Sequence, residues 1–413
     1  MAETPPTRRP PIVALTGVRF FAAFYVVLYH FRATMFGLVP ATRRLDGFLE
    51  GGFLSVDFFF VLSGYIIAWN YLERMNRFDR RAYRAFLRSR LARIYPLHAA
   101  ILALLAIFAF GSELFGNTLD QKFYAPRDLV EHLLLVSSWR AEPRLTWNYP
   151  AWSISAEWLA YLLFPFGALL VQKFRPESVF LATLISAVAI CFARSFLGIH
   201  SDLARLAAAF PLGVALAALQ LKPPAHHVVP RRRRRGPQVA GAAVGLLCLA
   251  SFPEAGPVVL ACRDAAFLLL TVLLVALLAG MDRSSRAVTI LGSRPILYLG
   301  SASYSLYLVH APVLVLFQRI VPAGRHSTAF GGLLIVVLAA TTFGAAHLGY
   351  RYIEEPARRA LTKPRREPSP GLGATSSMIP ATFPAISDTT SLGADRAATP
   401  SLRARETEHV TNN

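Results

Sequence analysis

Runs of about twenty mostly apolar residues recur along this chain, each long enough to cross the hydrocarbon core of a bilayer. They lie near 12–34, 53–71, 94–111, 152–172, 178–197, 203–221, 238–252, 258–280, 296–321 and 329–350, separated by basic or Pro-rich breaks. With 54% of the 413 residues hydrophobic and only 16% charged, a soluble multidomain reading is excluded. The expectation is an all-α integral membrane protein of about ten transmembrane helices. A shorter apolar stretch, 128–139, is too short to span and reads as a re-entrant or interfacial piece of the loop 112–151. The first run carries Arg19 and His30 and lacks a small-residue cleavage site, so it reads as a retained span rather than a signal peptide.

Charge sets the expected orientation. With the N-terminus inside, the inner segments hold 27 Lys and Arg residues and the outer ones 7. This asymmetry follows the positive-inside rule and places both termini in the cytoplasm. The net charge of +19 is then mainly a topogenic signal, and the run Arg231–Arg235, set in a short inner loop, does not point to nucleic acid. Residues 1–11 read as a cytoplasmic N-terminus, 12–358 as the membrane domain and 359–413, rich in Pro, Ser, Thr, Gly and Ala, as a disordered cytoplasmic tail. Cys191, Cys248 and Cys262 lie in or beside apolar segments with no metal-ligand spacing, and are expected to be small core residues.

Ionisable groups inside spans are costly and mark cavities or partners. Arg19 and His30 are eleven residues apart on the first span, about 20° past three full turns and about 16 Å along the axis, so one face presents both. The second span opens with Ser55–Val56–Asp57 and continues FFFVLSGYII, placing Asp57 near the depth of His30. On the fourth span Ser153, Glu157 and Tyr161 form one polar stripe. A carboxylate beside an imidazole can fix its tautomer and stabilise the imidazolium, so Asp57 or Glu157 is expected to orient His30. The alternative for each carboxylate is a buried ion pair clamping helices.

On the inner side, 77–94 reads as an amphipathic helix with Tyr83, Phe86, Leu87, Leu91 and Ile94 on its apolar face. Arg77, Arg81, Arg84 and Arg88 face an anionic leaflet. Arg90 points instead into the apolar face, flanked by Arg93, and a ligand phosphate is the favoured partner for that cation. On the ninth span Ser303, Tyr307 and His310 share a face; His310 lines an acyl tunnel or is a satisfied core histidine.

Six segments in order, LTGVRFFAAFYVVLYHF, SVDFFFVLSGYII, RSRLARIYPLH, WSISAEW, SYSLYLVHAP and YRYIEEPARR, together resemble the bacterial acyltransferase-3 family of membrane O-acyltransferases. The resemblance covers roughly 12–358. It implies a ten-helix catalytic domain in the bacterial cytoplasmic membrane, acyl-CoA, commonly acetyl-CoA, as cytoplasmic donor, and no permanently bound cofactor or metal. The acceptor would be a hydroxyl of a saccharide, glycolipid or macrolide-type molecule. It also implies that Arg19 and His30 are required, that Arg90 and Arg93 matter and that Glu157 contributes. Ser63, Gly64, Ser153, Tyr307 and His310 are the expected lining of the substrate passage. The usual Gly-Val-Asp start of the second span is Ser55–Val56–Asp57 here. A flippase for a polysaccharide or lipid precursor is the competing reading; inverted repeats or matched helix breaks would mark it, and none stands out.

Overall fold

A computed structural model describes residues 11–114, 122–140, 144–199, 201–221, 236–252, 256–282, 284–321 and 327–362. Among them the protein is built from helices, without strands. Those of eight residues or more are α1 (Val13–Leu38), α2 (Ser55–Tyr71), α3 (Arg80–Leu114), α4 (Pro126–Leu133), α5 (Trp152–Val171), α6 (Pro176–Leu197) and α7 (Asp202–Leu221). Then follow α8 (Gly236–Ala250), α9 (Pro257–Ala279), α10 (Arg294–Ser301), α11 (Ser303–Ile320), α12 (Thr328–Gly349) and α13 (Glu355–Thr362).

All ten apolar runs are helical, the ninth as two helices, yet eight helices of the described chain are long and apolar enough to cross a membrane. A ninth crossing is made if α10 and α11, bent by 60° at Ala302, count as one broken span. The seventh run forms only the 15 residues of α8, too short to cross unaided. The expected inner amphipathic helix and third span are one continuous helix, α3, with Pro96 in its interior. Proline is tolerated in such helices because neighbours re-satisfy the freed backbone groups. The side chains expected on the leaflet face, Arg77, Arg81, Arg84 and Arg88, are all exposed. Cys191 is buried, but Cys248 and Cys262 are exposed, so the expectation of three core cysteines holds for one. Of the expected disordered tail 359–413, residues 359–362 complete α13 instead, and those from 363 onward lie outside the described residues.

The piece 128–139 is a short helix followed by a left-handed residue, Leu135 (φ 59°), and it is tucked against the bundle. The backbone N–H and hydroxyl of Ser138 both donate to Ser155 Oγ, at 3.1 and 3.0 Å, and Trp139 Nε1 donates to the Ser155 carbonyl at 3.1 Å. Asn148 Nδ2 donates to the Leu308 carbonyl at 3.1 Å. Non-helical backbone can sit at this depth because protein groups meet its polar atoms. Burial, with the nearby His98, pushes the His132 imidazole down to about 4, so α4 brings a neutral ring against the bundle at neutral pH.

The tightest crossing joins α2 and α7. A Cβ on Gly64 would lie 2.1 Å from the Phe210 carbonyl oxygen, and one on Gly213 would lie 2.0 Å from that of Val61. Gly64, expected in the substrate passage, therefore serves helix packing: only hydrogen lets the two backbones approach so closely. Gly64→Leu or Gly213→Leu should destabilise the protein by about 1–3 kcal/mol or more through overpacking, read as a lower melting temperature in detergent. Gly167→Ala, where the added methyl meets nothing within 4 Å, should leave it unchanged.

Candidate active site

A cavity of about 100 Å³ opens inside the bundle, and three cations line it: Arg19 from α1 with Arg90 and Arg93 from α3. All three side chains are half-buried. The remaining wall is polar where α5 and α11 face each other, with Ser153, Glu157 and Tyr161 on one and Ser303, Tyr304 and Tyr307 on the other. Ser63 of α2 closes the ring and donates its hydroxyl proton to Glu157 Oε1. Tyr161 donates to the same oxygen at 2.5 Å. The helical period that makes the α5 stripe thus builds one side of the cavity.

The cations are held by different means. Arg90 stacks over the rings of Tyr71 and Phe86, at 5.2 and 5.7 Å, and Nη2 donates to the Tyr71 hydroxyl at 3.2 Å. Cation–π contact offsets part of the desolvation of a guanidinium while leaving donors for a ligand. Arg19 lies in the field of Arg93, which Glu354 and Glu157 partly offset. Glu354 is 2% exposed. It is carried on the π-helical turn Tyr350–Glu354 and accepts the Ser305 hydroxyl proton at 2.6 Å. Such turns are frequent at functional sites, and this one delivers a buried carboxylate toward Arg19 and Arg93.

His30 stands beyond the cavity wall. Its Nδ1 is 3.0 Å from the Val26 carbonyl and 3.0 Å from Nε2 of His310, which is fully buried on α11. A carbonyl can only accept, so these partners assign the proton to Nδ1 and leave the lone pair on Nε2. Tyr307 joins the histidine pair to the cavity it lines. Its ring centre is 5.8 Å from that of His310, and its hydroxyl donates to the Pro150 carbonyl and meets Ser153 Oγ, both at 2.8 Å.

The expected orienting carboxylates lie elsewhere. Both oxygens of Asp57 are taken up by Arg205 of α7, at 2.9 and 3.0 Å. Glu157 is held by Ser63 and Tyr161 in the cavity. It is His310 that meets the imidazole of His30. Spacing alone leaves the place of His310 open, and neither Arg205 nor Glu354 is among the residues expected at the site. Arg205 was visible as an ionisable residue inside an apolar run; Glu354 followed the tenth run and carried no such flag.

A helical membrane bundle with a cationic cavity beside a pair of histidines, His310 buried and His30 half-buried, is a frame that suits acyl transfer, and the comparisons with known proteins agree. The chain belongs to the acyltransferase-3 family, whose acyltransferase domain matches residues 12–347. It is 30% identical to the acyltransferase MdmB of Streptomyces mycarofaciens over 87% of this chain and 95% of that one. It is 26% identical to the O-acetyltransferase OatA of Staphylococcus aureus (strain NCTC 8325 / PS 47) over 84% of this chain, and 24% identical to the peptidoglycan O-acetyltransferase OatA of Listeria monocytogenes over 87%. These matches span 57% and 58% of the respective OatA chains. No solved structure matches.

Removing Glu354 should unbalance Arg19 and Arg93 and orphan the Ser305 hydroxyl. Glu354→Ala is expected to lower stability by about 1–3 kcal/mol or more, measured as thermal unfolding in detergent. Glu354→Gln, which can still accept from Ser305, should lose less.

Proposed function

We propose that this acyltransferase moves an acyl group, acetyl by default, from cytoplasmic acyl-CoA to a hydroxyl of a saccharide or related envelope or secreted acceptor. His30 serves as general base, and the protein works in the bacterial cytoplasmic membrane with both termini inside. The observation that carries the reading is the hydrogen-bonded pair His30–His310 beside a cavity lined by Arg19, Arg90 and Arg93.

In this scheme the donor phosphates sit against Arg90, Arg93 and Arg19, where guanidinium forks suit phosphate oxygens. The pantetheine arm reaches along the cavity toward Tyr307. His30 Nε2 takes the proton of the acceptor hydroxyl as its oxygen attacks the thioester carbonyl. Collapse of the tetrahedral intermediate breaks the C–S bond, and the imidazolium returns the proton to the departing CoA thiolate. His310 holds the His30 ring and spreads the developing charge. Support for an acetyl group comes from the relatives named O-acetyltransferase, and support for a saccharide acceptor from the one named for peptidoglycan. The excess of Lys and Arg in the segments assigned inside supports the orientation.

His30→Ala should abolish transfer while the protein still folds, and mass spectrometry of envelope glycans and secreted products from the mutant strain should show the acyl mass missing. Full transfer by a folded His30→Ala protein sinks the scheme. His310→Ala should lower kcat by about 10²-fold, the scale of a general-base contribution. Arg90→Ala should act mainly on the donor KM.

A further inference from the structure

Arg205 is the best-connected cation among the described residues, and neither the cavity nor the histidine pair contains it. Its guanidinium forms a two-pronged pair with Asp57, Nε to Oδ1 at 3.0 Å and Nη2 to Oδ2 at 2.9 Å. Nη2 also donates to the Phe53 carbonyl at 2.9 Å. The group stacks over Trp152 at 5.1 Å and over Phe53 at 5.6 Å. One side chain from α7 thereby holds the first turn of α2, the residue two positions before that helix and the first residue of α5.

Each of these contacts leads to the reacting region. Phe53 packs on Tyr29 at 6.0 Å between ring centres, and Tyr29 packs edge-on against His30 at 4.8 Å. Trp152 precedes Ser153, whose hydroxyl meets Tyr307. Tyr307 also lies in the field of Arg205. The surrounding charges do not displace the pair. Asp202 and Asp264 add their fields to Arg205, while Asp264 is itself engaged by Arg263 at 3.0 Å and Arg194 at 3.7 Å. Further along the same two helices, the Gly64–Gly213 crossing locks α2 to α7.

From this geometry we infer that Arg205 is a positioning residue for acyl transfer: paired with Asp57 and stacked on Trp152 and Phe53, it sets the place of Tyr29, His30 and Tyr307 around the acceptor. Asp57 then acts through Arg205 rather than on the His30 imidazole. The inference rests on the reading of His30 as the transfer centre. The pair is remote in role from donor binding, which Arg19, Arg90 and Arg93 supply, so its loss should appear in kcat. A lysine in place of Arg205 keeps the charge but cannot reproduce the fork, the Phe53 contact and the stacking together.

The test uses the full chain in lipid nanodiscs, acetyl-CoA as donor, soluble peptidoglycan fragments as acceptor and thiol release as the signal, with melting temperature measured in parallel. Arg205→Gln and Asp57→Asn should each lower kcat about tenfold or more with donor KM within about twofold, and the double variant should be no worse than the poorer single, as for two residues acting as one unit. Arg205→Lys should recover part of the rate. Losses that multiply, a loss confined to Asp57→Asn, or a lowered melting temperature with unchanged kcat for the folded fraction would each overturn the positioning role. His30→Ala is the reference. If it retains transfer, the functional reading and this inference fail together. If it is dead while the Arg205 series is unimpaired, only the inference fails.

Discussion

Placing three guanidiniums around one small cavity inside an apolar bundle is the physical demand to which the rest of this structure responds. Isolated charges at such depth are expensive, and Arg19, Arg90 and Arg93 also repel one another. The fold answers with local compensation. The rings of Tyr71 and Phe86 receive Arg90, and Glu157 and Glu354 partly offset the field of Arg93 on Arg19. Three guanidiniums thus line a cavity that holds one acid, Glu157, an arrangement that suits the anionic donor proposed above. Hydroxyls from Ser63, Tyr161 and Ser305 satisfy the carboxylates, so the acids are fixed without consuming the guanidinium donors.

The histidine pair is built on a different principle. His30 and His310 are 280 positions apart and meet at 3.0 Å because α1 and α11 pack side by side. With Nδ1 occupied by the Val26 carbonyl and by His310, the ring cannot rotate without losing both contacts. Such prior fixing suits the general base proposed for this position, because reorganisation then adds little to the barrier. The bend at Ala302 and the loop residue Asn148, bonded to the Leu308 carbonyl, set the face that α11 presents. The Asp57–Arg205 pair does the same for α2 and α5 from the other side.

Much of the helical plan was legible in the chain, and so were the inward cations. The place of Arg90 on the apolar face of an otherwise basic helix marked it, and Ser153, Glu157 and Tyr161 marked their stripe by spacing alone. The continuity of α3 through Pro96 was not legible, because a proline ordinarily signals a boundary and only surrounding helices make it tolerable. Nor was the role of Gly64: spacing assigned it to a face, and only the backbone of α7 lying against it shows that the missing side chain serves packing.

Sequence alone therefore marked the apolar helical segments and the polar stripes on them, since hydrophobic length and helical period are local properties, and its ordered motifs marked the acyltransferase family. It did not settle how many segments are long enough to cross, eight or nine among the described residues rather than ten. Tertiary structure decided which polar faces meet. Asp57 and Glu157 were both credible partners for His30, but Arg205 takes one, Ser63 and Tyr161 take the other, and His310 takes the imidazole. Apart from the i, i+4 contact of Tyr161, those choices depend on helix neighbours 94 to 280 residues distant along the chain. A period of 3.6 residues says where a side chain points on its own helix and nothing about what stands opposite.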